Sequence, residues 1–87
     1  MTPELEKMVQ VVDNLLHQYG LHAVITSGND GYHSLPGSLH YRNQALDFRT
    51  YDWPDVKEFA VRIKALLGPK YDVVVETNHL HIEYEGG

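Results

Sequence analysis

The sequence predicts an α+β fold, a small antiparallel β-sheet with two helices packed on one face. Three observations lead there. Two stretches carry apolar residues at helical spacing, four short segments are β-branched or alternate in polarity, and they follow one another in the order α-β-loop-β-α-β-β. At 87 residues the chain makes one domain, residues 1–87, whose small size leaves a thin stability margin.

Each element has its own signal. Thr2 followed by Pro3 offers a capping oxygen and then a residue that needs no N–H in the first turn. Leu5, Met8, Val9, Val12, Leu15, Leu16 and Tyr19 recur at helical spacing, and Gly20 stops the run, so the first helix is expected over about 3–18. Ala23-Val24-Ile25-Thr26 reads as a strand, and Ser27 to Ser38, with Gly28, Asn29, Asp30, Gly31, Pro36 and Gly37, reads as a long loop. Gln44 to Thr50 alternates, with Leu46 and Phe48 on one face and Ala45, Asp47 and Arg49 on the other. Asp52 or Trp53 leads into Pro54, and Val56, Phe59, Ala60, Ile63, Leu66 and Leu67 mark a second amphipathic helix, ended by Gly68-Pro69. Tyr71 to Glu76 is a valine-rich strand, Thr77-Asn78 a turn, and His79 to Glu85 a final alternating strand.

Composition narrows the function. Without cysteine, disulfides and thiolate metal ligands are excluded. A formal net charge of −5 and no Lys/Arg stripe argue against a nucleic-acid partner. The longest uninterrupted apolar runs are three residues, far short of a membrane span. The acidic start, Met1-Thr2-Pro3-Glu4-Leu5-Glu6, lacks a secretory pattern, so the chain is expected to be cytoplasmic as synthesised.

The chemistry-bearing residues fall in two segments. The first, Ser38 to Asp47, offers His40 and Asp47; the second, Glu76 to His81, offers His79 and His81 on alternate residues after a carboxylate. In the last strand Leu80, Ile82 and Tyr84 share the face toward the helices, which leaves His79, His81 and Glu83 on the other. Asp47 likewise opposes Leu46 and Phe48, and small Ala45 leaves room beside it. If the two strands are neighbours, His40, Asp47 and His81 converge on one ion on the sheet face away from the helices. Imidazole and carboxylate donors suit Zn2+ with one position left for water. Glu76 is the candidate general base, and His79 the candidate partner of a developing oxyanion. His79 stands as the alternative to His81 for the third ligand.

Ser38-x-His40-x(6)-Asp47 followed by Glu76-x-x-His79-x-His81 resembles the zinc D-Ala-D-Ala carboxypeptidase family, which shares a superfamily with lysostaphin-type endopeptidases and the hedgehog signalling domain. Val24 to Gly28 is similar to the strand that enters the site in these peptidases, so the resemblance runs from about Val24 to Glu83. It implies zinc ligands at His40, Asp47 and His81 and active-site roles for His79 and Glu76; Ser38, Tyr41 and Arg42 are the candidate substrate contacts. The implied reaction is hydrolysis of bacterial cell-wall (peptidoglycan) peptides, as in phage endolysins, with action at the wall after release or delivery. Two positions depart from the family pattern. Asn43 stands where glycine is usual, and Asn29-Asp30 where an arginine often follows Ser-Gly; Arg42 or Arg49 is the candidate substitute. The competing expectation is a catalytically silent metal-binding module that works with other phage or cell-wall proteins. His33 is read as a loop histidine, Trp53 as a staple at the start of the second helix, Asp13 as part of a solvated helix face, and His17 and His22 as surface residues without partners.

Overall fold

The computed structural model describes residues 2–29 and 44–85. Their order is α1 (Pro3–His17), β1 (Ile25–Asn29), β2 (Gln44–Arg49), α2 (Val56–Leu67), β3 (Tyr71–Val75) and β4 (His79–Tyr84). The strands form one antiparallel sheet in the order β1-β2-β4-β3. Because β4 pairs antiparallel with both β2 and β3, those two run parallel with β4 between them. The β2-α2-β3 connection is therefore a split βαβ unit.

Both helices start as their sequences direct. Thr2 caps α1, its Oγ1 accepting from Leu5 N at 3.3 Å, with Pro3 in the first turn. The cap of α2 is Asp55, one residue past Pro54, whose Oδ1 accepts from Glu58 N at 3.1 Å. Trp53 is buried, and its ring lies 5.6 Å from that of Phe59, four residues past the cap. That contact holds the chain as it enters α2, as a staple would. Gly68, at φ 98°, ends the helix in a conformation that side chains avoid.

The core is a single cluster. Leu5, Met8, Val12, Leu15 and Leu16 from α1 and Phe59, Ala60, Ile63 and Leu67 from α2 pack on Leu46, Phe48, Leu80 and Ile82 of the central strands. Leu66 is not part of it: it is 59 % exposed, next in the chain to buried Leu67.

The first strand differs most from expectation. It begins at Ile25 and continues through Ser27, Gly28 and Asn29, residues whose types suggest a loop. Pairing with β2 overrides that propensity, and a bulge at Thr26 re-phases the strand so that Ser27 faces Asp47 and Gly28 faces Leu46. A Cβ on Gly28 would sit 2.8 Å from Leu46 Cδ2, so glycine admits the close approach. No helix among the described residues is long and apolar enough to cross a membrane.

Candidate functional site

The register of β2 on β4 builds the site. Leu46 pairs with Ile82 and Phe48 with Leu80, so the apolar residues of both strands meet on the helix side. Asp47 therefore pairs with His81, Arg49 with His79 and Ala45 with Glu83, all on the opposite face. A one-residue slip would bury His81 and expose Leu80, which makes the alignment hard to alter. Beyond β4, Val74 of β3 faces His81 and Asp72 faces Glu83.

Asp47 is the hub. Its Oδ1 lies 2.7 Å from His81 Nδ1, and its Oδ2 3.9 Å from His79 Nε2. His81, directly opposite, is the nearer imidazole. Its other ring nitrogen, Nε2, lies 3.2 Å from Glu83 Oε1, so carboxylates hold both sides of the ring. Burial alone would lower the pKa of His81. Hydrogen bonds that the ring donates to Asp47 and Glu83, with the negative charges of those carboxylates, outweigh it and raise the pKa above the usual 6.5. The alternation that places His81 also places Glu83, but it does not signal the contact between them.

The β3–β4 hairpin positions the remaining candidates. Glu76 N donates to His79 O at 2.9 Å, which continues the β3–β4 register and sets Glu76 opposite His79 on the same face. Glu76 is exposed, and His79 Nδ1 lies 2.8 Å from Asn78 Oδ1. In the tautomer that donates Nδ1–H to Asn78, Nε2 is the nitrogen turned toward Asp47. Arg49, a candidate for binding a substrate carboxylate, is engaged elsewhere: it pairs with Asp52 at 3.5 Å and stacks 4.5 Å over the Tyr51 ring. Ser38, His40, Tyr41 and Arg42 lie outside the described residues, as do His33 and Asn43.

Asp47 and His81 are a carboxylate and an imidazole, donor types that divalent cations take, whereas the group of three close donors among the described residues lies elsewhere. Zinc bonds of 2.0–2.1 Å at tetrahedral angles separate ligand atoms by about 3.3 Å. Asp47 Oδ1 and His81 Nδ1, at 2.7 Å, reach that spacing by parting about 0.6 Å. Asp72 and Glu83 are directly opposite like charges, an arrangement that a nearby cation relieves.

A second set of donors was missed in the sequence. His17 Nε2 lies 3.2 Å from His22 Nδ1 and 3.4 Å from Asp13 Oδ2, so neither histidine is a lone surface residue. Asp13 and His17 are four apart on α1, a spacing visible in the sequence; the return of His22 depends on the turn at Gly20.

The chain matches no protein-family model, and no curated protein or solved structure is significantly similar to it.

Proposed function

We propose that this chain is a zinc-dependent peptidase of bacterial cell-wall peptides, with its site on the open face of the β2–β4 pair. The observation that carries the reading is the direct pairing of Asp47 with His81 at 2.7 Å on the face away from the core. Two donors that stand 34 residues apart in sequence, and that resemble the ligands of the zinc D-Ala-D-Ala carboxypeptidase family, are cross-strand neighbours. Asp47 and His81 supply two of the zinc ligands in this reading and His40 the third. Zinc held there supplies Lewis acidity, polarising a carbonyl and acidifying a water.

The chain's own groups do the rest. The Glu76 carboxylate takes a proton from the attacking water and later returns it to the leaving amine. Its exposed position at the hairpin leaves it open to substrate from solvent. His79, its Nε2 turned toward Asp47, is the group placed beside the developing oxyanion. Glu83, on the far side of His81, fixes the orientation of that ring. Ser38, Tyr41 and Arg42 supply substrate contacts in this reading, and the peptide approaches over the open sheet face.

The test pairs metal content with wall cleavage. Purified protein is assayed for bound zinc and for peptide release from purified peptidoglycan, with and without added zinc. Zinc-dependent release is expected. Glu76→Gln should lower turnover about 10²–10⁴-fold while zinc binding stays intact. Full activity in that variant would remove Glu76 from the mechanism. Zinc retained without any cleavage by the unaltered chain would favour the metal-binding module instead.

A further inference from the structure

We propose that Asp13, His17 and His22 form a second divalent-cation site, of the zinc class, at the C-terminal end of α1. Their ligand atoms lie within 4.8 Å of one another. The spacings of 3.2 Å between His17 Nε2 and His22 Nδ1, and 3.4 Å between His17 Nε2 and Asp13 Oδ2, match the edge of about 3.3 Å for tetrahedral zinc. The two imidazoles are nearly perpendicular, at 86°, which brings their nitrogens together without stacking the rings.

The backbone builds this arrangement. Leu21 N donates to Leu16 O at 3.0 Å and Gly20 N to His17 O at 3.1 Å, the paired bonds of a Schellman turn. Gly20, at φ 75°, provides its left-handed residue and turns the chain back, so that His22 meets the last turn of the helix. The carboxylate is oriented too: Asp13 Oδ1 accepts from Ala23 N at 3.0 Å, leaving Oδ2 toward His17. A backbone donor that holds a ligand carboxylate is a recurrent support in metal sites. The partial negative charge at a helix C-terminus also favours a cation.

His17 and His22 are exposed and Asp13 is half-buried, so a bound ion keeps an open side for water. Its effect is structural. It ties the end of α1 to the segment that enters β1, an edge strand of the sheet. This inference does not rest on the peptidase reading, because none of its residues belongs to the open-face site.

The experiment uses the full chain carrying Asp47→Ala and His81→Ala, which removes the open-face donors, titrated with zinc chloride alone. One zinc is expected to bind, shifting the ring resonances of His17 and His22 in NMR spectra. Zinc at about 100 times its Kd should raise the unfolding midpoint by about 10–20 °C. Adding His17→Asn or His22→Asn should weaken binding about 100-fold or more. Unmoved His17 and His22 resonances, or an affinity indifferent to those two substitutions, would overturn the site. If the background variant does not fold, the same two resonances are followed in the unaltered chain, where their response to zinc decides the question.

Discussion

Alternate residues of the same two strands make two unlike surfaces. On one side of the β2–β4 pair, Leu46, Phe48, Leu80 and Ile82 are buried against both helices. On the other, Asp47, His79, His81 and Glu83 are half-buried and hold one another through ring nitrogens and carboxylates. The first surface stabilises by removing apolar area from water, about 1.5–3 kcal/mol for each such side chain. The second gathers charged and titratable groups whose pairing adds much less to folding. The fold therefore depends on one face, which leaves the other free to be specialised for chemistry.

Adjacent residues test this division. Phe48→Ala empties a fully buried site and should cost about 3–5 kcal/mol, a large share of the 5–15 kcal/mol typical of whole domains. Urea unfolding measures it. Asp47→Ala, one residue away on the other face, should cost about 1 kcal/mol, and under the proposed peptidase reading it should also abolish cleavage. Equal losses of stability at the two positions would mean that the open face is structural as well.

The apolar face was legible because alternation and register agree. Once Leu46 and Phe48 meet Ile82 and Leu80, Asp47 must face His81, and both helices show the spacing needed to cover the apolar side. What escaped the reading depends on tertiary pairing. Ser27-Gly28-Asn29 has loop composition, yet it is strand because β2 offers it a partner and Gly28 fits over Leu46. Leu66 belongs to the apolar pattern by type and spacing, yet it is 59 % exposed, at the edge of the stripe that Phe59, Ile63 and Leu67 bury. The contact of His17 with His22 requires the turn at Gly20 to reverse the chain, and no helical period encodes that reversal. The clamp of Glu83 on His81 joins side chains two apart on one strand face, neighbours by alternation whose contact needs particular rotamers.

The smallest expected effect separates the faces by pH. Burial opposes charging of His81, but the hydrogen bonds and charges of Asp47 and Glu83 prevail and raise its folded pKa above the unfolded 6.5. The folded state therefore binds this proton more tightly than the unfolded chain does. Its stabilisation is complete below the unfolded value and is lost as pH rises through the raised folded value. In zinc-free protein that loss should be about 0.2–1 kcal/mol, as for a partly exposed ion pair. Denaturant midpoints on both sides of this window measure it. His81→Asn should remove that part of the pH dependence, whereas Phe48→Leu should lower stability at every pH and keep it. If His81→Asn leaves the profile unchanged, another group carries the titration and the grip of the two carboxylates on His81 is weaker than their spacing indicates. If the slope vanishes only in that variant, the open face responds to protons while the buried face does not. A cation that takes the His81 nitrogen must then displace a proton, so zinc affinity should fall as pH drops through the same window.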